Sequence, residues 1–292
     1  MARSALLNVM VQSALKAGRS LARDFGEVQN LQVSLKGPGD YVTQADRKAE
    51  SIIKTELLRA RPTYGFLGEE SIEMAGTDGA HRWIVDPLDG TTNFLHGIPH
   101  FAVSIALERN GEIVAGVIYN PSTDELYTAE RGGGAFLNDR RLRVAGRKAM
   151  SDAVIGTGVP HLGRGHHGNF LVELRHIMGE CAGIRRFGAA ALDLAYVAAG
   201  RLDGFWEKPL EAWDMAAGMI LIREAGGFIA DTKGEPTCSV HAPSQPVTSI
   251  SSRAFWNWCK GLFRKPEQAG MRLFFRRAFN SAILSVSVRG NS

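Results

Sequence analysis

Acidic residues set in turns are the chemically suggestive feature of this chain. Glu69 and Glu70 stand in LGEES, Asp86 and Asp89 in DPLDGTTN, Asp214 in AWDMAAG and Asp46 in VTQAD. Carboxylates at strand ends suit hard cations such as Mg²⁺, which take oxygen ligands in octahedral geometry. In D-P-L-D the proline stiffens the turn, so two carboxylates and the carbonyl between them can converge. Gly90-Thr91-Thr92 follows with backbone N–H groups and a hydroxyl, and a helix starting there offers its N-terminus to a phosphate. Carboxylate-held cations beside such donors are the equipment of phosphoester hydrolysis. Each feature also has a plainer reading. An Asp opening a helix is most often a cap, a Glu-Glu pair is often solvated surface, and DPLDGTTN can be a decorated turn.

These residues need elements to position them. Residues 4–25 have the spacing of an amphipathic helix, with Leu6, Val11, Leu15 and Leu21 near one stripe. SLKGPGD, 34 to 40, reads as a Gly-rich loop, and Asp40 or Thr43 can cap a second helix, ADRKAESIIKTELLRA, ended by Arg61-Pro62. Trp83 to Val85 forms a short apolar strand running into DPLDGTTNF. Asn110-Gly111 between two apolar runs signals a hairpin, and ELYTAERGGGAFLNDRRLRV continues with two more strands. The first half thus reads as helices followed by an antiparallel meander. Further on, 153–159 reads as a strand, HLGRGHHG as a loop, 168–180 as a helix, and IRRFGAAALDLAYVAAGRLDGFWE as strand, turn, helix, strand. WDMAAGMILIREAGGFIAD predicts a helix beginning at Asp214, C-capped by Gly226-Gly227, then a strand. The mixture predicts a layered α/β (α+β) architecture. The expected organisation is a main unit over 1–235, with halves of about 1–145 and 146–235, and a basic tail over 236–292.

The charge balance supports that division. The 292 residues carry 34 Lys+Arg against 30 Asp+Glu, a net of +4, and the sequence pI is near 9.0. Residues 236–292 hold 8 basic and 1 acidic of these, so the rest of the chain is net −3. A basic pI invites a nucleic-acid partner, but here the charge belongs to the tail. Three cysteines, Cys181, Cys238 and Cys259, form no CxxC pair, which argues against a disulfide framework or a zinc ribbon. The N-terminus has helical spacing rather than an unbroken apolar run, and no stretch reaches the roughly 18–20 apolar residues needed to span a bilayer. A soluble cytoplasmic protein is expected.

GEES, then WIVDPLDGTTNF, then WDMAAG with REAGG resemble the inositol monophosphatase family in residues, order and separation. FGAAALDLAYVAAGRLDGFWE is similar to its bacterial SuhB-type members, and the resemblance covers about residues 5–234. It implies an αβαβα sandwich, usually a homodimer, that hydrolyses myo-inositol monophosphate with Mg²⁺ and is lithium-sensitive. It implies that Glu69, Asp86 and the Leu88 carbonyl hold one Mg²⁺, that Asp86, Asp89 and Asp214 hold a second, and that a weaker third lies near Glu69. Glu69 and Thr91 would activate water, with Asp46 orienting Thr91. Gly90 and Thr91 N–H groups would bind phosphate, Lys36 would lie near the metals, and Asp89, Ala190, Glu207 and Asp214 would contact inositol hydroxyls.

Related substrates keep the same metals: fructose-1,6-bisphosphate, histidinol phosphate or a 3′-phosphoadenosine nucleotide. A different class of role is binding to RNA or RNA polymerase in antitermination. His161, His166 and His167 lack the spacing of a helix-borne metal pair. RGGGAF lacks the strand-to-helix context of a dinucleotide site. Phe205, Trp206 and the LDLAYVAAG stripe read as core. The tail departs from the family, which continues past REAGG with another strand and a helix. It reads either as an aromatic-basic segment for RNA or a membrane surface, or as an unrelated extension.

Overall fold

The computed structural model describes residues 3–27, 33–37, 40–161, 165–231 and 247–251. The chain opens with α1 (Ala5–Phe25), β1 (Val33–Gly37), β2 (Asp40–Thr43), α2 (Gln44–Ala60), β3 (Gly65–Gly68), β4 (His81–Asp89) and α3 (Thr91–Leu95). β5 (Ala102–Arg109), β6 (Glu112–Asn120), β7 (Glu125–Glu130), β8 (Gly134–Leu137) and β9 (Arg140–Arg141) follow. Then come β10 (Val154–Thr157), α4 (His167–Met178), β11 (Gly183–Arg185), α5 (Ala190–Ala198), β12 (Gly204–Trp206), α6 (Ala212–Glu224), β13 (Phe228–Asp231) and β14 (Val247–Ser251).

The first sheet runs β3 to β9 in chain order, and the second runs β11-β10-β12-β14-β13. Only β3–β4 is parallel in the first sheet; the remainder is the expected meander. Its central strands are apolar at successive positions because helices cover both faces. Trp83, Val85, Val103 and Ile105 turn to one face, where α1 and α2 supply Leu7, Met10, Ala14, Ile53 and Leu57. Ile84, Ala102, Ala106 and Ile118 turn to the other, against α5 and α6. The second sheet lies beyond those helices, and α4 closes its outer face with Ile177, Phe170 and Leu174 on Ile155 and Trp206. The layers are therefore α, β, α, β, α.

Several local expectations need correction. The buried stripe of α1 is Leu7, Met10, Val11, Ala14, Ala17 and Leu21; Leu6 and Leu15 are only half-buried at its flanks. Residues read as a loop over 34 to 40 fall largely on an antiparallel hairpin, β1–β2. α6 begins at Ala212, with Glu211 as N-cap, so Asp214 is its third residue rather than its first. The tail supplies β14, hydrogen-bonded between β12 and β13 and antiparallel to both. The sheet strand read as missing is thus present at 247–251, where VTSIS is short and has no regular apolar-polar alternation to mark it. The other tail residues, with their aromatic-basic stretch, lie outside the described residues.

Candidate active site

The bulge in β4 is the local event that builds the site. Asp86 pairs with Ser104 and Asp89 with Ala102, so three steps on β4 oppose two on β5. In a regular strand, residues an odd number apart point to opposite faces. The extra residue removes that restriction, and Pro87, which has no N–H to give a ladder, sits within it. Asp86 Oδ1 accepts the Leu88 N–H at 2.9 Å, and the Leu88 carbonyl accepts the Thr91 hydroxyl at 2.9 Å. Gly90 then takes φ 89°, and a Cβ there would lie 3.0 Å from the His100 carbonyl. The helix beyond is a single turn of five residues, too short to carry the dipole of a longer helix.

Other elements bring the remaining carboxylates to this turn. The Ser104 hydroxyl, opposite Asp86, donates to the Trp213 carbonyl at 3.3 Å and so ties the start of α6 to β5. Asp214 Oδ2 accepts the Glu211 N–H at 2.7 Å, and Glu211 caps in return. Asp89 accepts the N–H groups of Ala190 (3.2 Å) and Ala191 (2.7 Å), serving as the cap that Ala189 cannot provide for α5. Ala190, expected at a substrate hydroxyl, thus spends its N–H on Asp89. From α2, buried Glu50 accepts the Glu70 N–H at 2.9 Å and fixes the GEES turn. A Cβ on Gly68 would fall 2.3 Å from its Oε2, so this turn needs glycine.

Carboxylate oxygens of Asp46, Glu69 and Glu70 come within 4.8 Å of one another. Burial pushes the Asp86 carboxyl well above its ordinary range, and Glu69, Asp89, Asp214 and Asp46 all push the same way. Burial also raises Asp89 to about 7 despite its two N–H donors, with Glu207 and Glu69 adding to the rise. Carboxyl groups that raise one another in this way suit cation binding. The donor set is all oxygen, which fits a hard divalent ion. Lys36 lies on β1, and its expected accessory contact falls outside the described side chains.

Three residues without an assigned role also belong to this neighbourhood. Glu50 carried no signal beyond lying one helical turn after Asp46. Asn93 was visible in the motif but not as a contact. Asp193, inside the apolar LDLAYVAAG stripe, is 1% exposed. Burial raises its carboxyl well above the usual range, as do Glu207 and Asp89, while Arg186 opposes the shift. Leu192, Leu194, Ala195, Val197 and Ala198 of the stripe are core, as are Phe205 and Trp206, while Tyr196, Ala199 and Gly200 are half-buried. His166 caps α4 by accepting the Asn169 N–H at 3.2 Å. In the RGGGAF turn, the N–H groups of Gly132 and Gly134 donate to Glu224 on α6 at 2.9 and 2.8 Å.

A layered sandwich with clustered carboxylates at strand and helix ends defines a class of phosphate-handling enzymes, and comparison with known proteins specifies which. The inositol monophosphatase family profile matches residues 2–255, past the end at 234 read from the motifs and through β14. The chain belongs to the inositol monophosphatase family, and with it to the phosphatases. The inositol-1-monophosphatase of Rhizobium meliloti is 80% identical over 234 residues, covering 80% of this chain and 88% of that protein. The Nus factor SuhB of Pseudomonas aeruginosa is 48% identical over 233 residues, covering 78% and 86%. The crystal structure of extragenic suppressor protein suhB from Bartonella henselae superposes with a TM-score of 0.84 at 62% identity, covering 90% of this chain and all of that one. Among the described residues, no helix is long and apolar enough to cross a membrane.

Proposed function

We propose that this protein is a Mg²⁺-dependent phosphomonoesterase that releases inorganic phosphate from myo-inositol monophosphate. The observation that carries the reading is the convergence of Glu69, Asp89, Asp214 and Asp46 on buried Asp86. Glu69, Asp86 and the Leu88 carbonyl would hold one ion; Asp86, Asp89 and Asp214 would hold another. When bound, Mg²⁺ lowers the pKa of water and neutralises charge developing on phosphoryl oxygens.

The chain's own groups do the rest. Glu69 accepts a proton from the attacking water, whose oxygen bonds to phosphorus as the bond to the inositol oxygen breaks. The departing alkoxide takes up a proton from solvent water while Glu69 returns its own to solvent, and the products are inositol and phosphate. Gly90 and Thr91 N–H groups hold the phosphoryl oxygens where charge accumulates. For the expected role, the Thr91 hydroxyl, which here donates to the Leu88 carbonyl at 2.9 Å, would donate to Asp46 instead, and its oxygen would accept from the same water. Glu207 and Asp214 accept from the polyol hydroxyls, with the Ala190 backbone beside them.

The name of the Rhizobium meliloti relative supports inositol-1-phosphate as the substrate. The test is kcat/KM on inositol-1-phosphate, fructose-1,6-bisphosphate, histidinol phosphate and a 3′-phosphoadenosine nucleotide, each with and without Mg²⁺ and Li⁺. Inositol-1-phosphate should lead the panel, and Li⁺ should inhibit. A sugar bisphosphate or nucleotide leading it would reassign the substrate within the same metal chemistry. The Nus factor name of the Pseudomonas aeruginosa relative supports a second role in antitermination. Salt-dependent RNA binding that is lost without residues 256–292, which leaves β14 in place, would support that role, and its absence at low salt would dismiss it.

A further inference from the structure

Asn93 is the third residue of α3 and is 4% exposed. Its amide nitrogen reaches the His100 carbonyl at 2.8 Å and the Phe187 carbonyl at 2.9 Å, with the Gly188 carbonyl at 3.4 Å. An amide nitrogen carries two hydrogens, so both donors are used on short bonds and Gly188 takes a weaker share. The two principal acceptors lie 7 and 94 residues away. One segment follows α3 in the large-sheet half. The other ends two residues before α5 begins.

That second segment matters because of what comes next. Ala190 and Ala191, the first residues of α5, give their N–H groups to Asp89. A closed circuit results. Asp89 is joined to Asn93 through the tight Gly90 turn, Asn93 grips Phe187 and Gly188, and the backbone from Gly188 leads to the N–H groups that grip Asp89. Phe187 packs against the His100 and Tyr196 rings at centroid distances of 5.3 and 5.7 Å, so both gripped carbonyls belong to one packed cluster. Every acceptor is a carbonyl oxygen. An amide satisfies them, whereas a carboxylate would set negative charge against them and an apolar side chain would leave them unpaired.

We propose that Asn93 is a positioning residue for Asp89: by fixing the start of α5 against the β4 turn, it sets how the Asp89 carboxylate presents to a cation. This rests on Asp89 being a cation ligand under the proposed function. The test uses the full chain and Mg²⁺ alone. Mg²⁺ affinity by calorimetry, melting temperature, and kcat and KM for inositol-1-phosphate are measured for wild type, Asn93→Ala and Asn93→Asp. Asn138→Ala is the control. Asn138 also bridges backbone groups, accepting from Leu126 N–H and donating to the Asp124 carbonyl, but it does so in the β8–β9 turn.

The Asn93 variants should bind Mg²⁺ at least about tenfold more weakly and lose kcat, the scale seen when groups supporting metal ligands are removed. Asn138→Ala should lower the melting temperature and leave Mg²⁺ affinity unchanged. Should the Asn93 variants fail to fold, Gly188→Ala disturbs the same circuit from its other side. Gly188 has φ 86°, and a Cβ there would lie 2.5 Å from Arg186 Nη1 and 3.3 Å from Asn93 Nδ2. Folded variants with wild-type Mg²⁺ affinity and kcat overturn the proposal while the proposed function stands. A wild-type protein that binds no Mg²⁺ and releases no phosphate overturns both.

Discussion

Asp89 joins strand, helix and site in one side chain. It leaves β4 at the bulge, caps α5 through Ala190 and Ala191, and raises Asp86 across the cluster. Asp89→Asn keeps the shape and half of the acceptor capacity but removes the charge. It should stay folded by circular dichroism and lose about 100-fold or more in kcat, the equivalent of roughly 3 kcal/mol of transition-state stabilisation. Asp214→Asn should behave alike. A pH dependence follows at the same scale. Folding lifts Asp89 from 3.8 to about 7, chiefly by burial, and lifts Asp86 in the same direction. The metal-free folded chain therefore holds protons that the unfolded chain gives up. Stability without metal should fall as pH rises from 3.8 towards about 7 and then level off with respect to Asp89. Denaturant midpoints across that range, with EDTA and with Mg²⁺, check the sign: added Mg²⁺ should restore stability most at the upper end. The carboxylates proposed as ligands stand out in the sequence because several of them gather in turns that follow short apolar segments. Their supports do not, since Glu50 and Asp193 lie in helices with nothing in their spacing to mark them.

Elements came through wherever one local signal decided them. Asn110-Gly111 makes the β5–β6 hairpin with φ 52° and 81°, as that dipeptide demands. The Asn138-Asp139 turn likewise has both residues at positive φ. The bulge in β4 was not legible, because one extra residue in a ladder leaves no trace in composition. The start of α6 was misplaced for a related reason: Asp214 looks like a cap, but its carboxylate reaches back to the Glu211 N–H from within the first turn. Packing between α5 and α6 yields a prediction of its own. A Cβ on Gly218 would meet Leu194 Cβ at 2.4 Å, so these helices cross at a point without room for a methyl group. Gly218→Ala should destabilise the fold by about 1–3 kcal/mol, read from the denaturant midpoint, because overpacking outweighs the helix-propensity gain. An unchanged or raised midpoint would mean that the two helices can separate cheaply.

Across the whole molecule, the whole-chain charge of +4 describes the tail more than the site. The same tail contributes β14, which fills the place between β12 and β13. A chain ending at residue 246 would leave both neighbours with unpaired edges and should aggregate or lose its cooperative melting transition. A chain ending at residue 255, where the family match ends, should keep the melting temperature and activity of the full protein. Equal behaviour of the two truncations would remove β14 from the account of the fold. The central claim is that the clustered carboxylates hold Mg²⁺ for phosphomonoester hydrolysis, and its most direct test is phosphate release from inositol-1-phosphate by the full chain. Turnover should appear on adding Mg²⁺, vanish with EDTA, and be nearly absent in Asp89→Asn. Turnover indifferent to EDTA, or no turnover with Mg²⁺ present, would contradict the account.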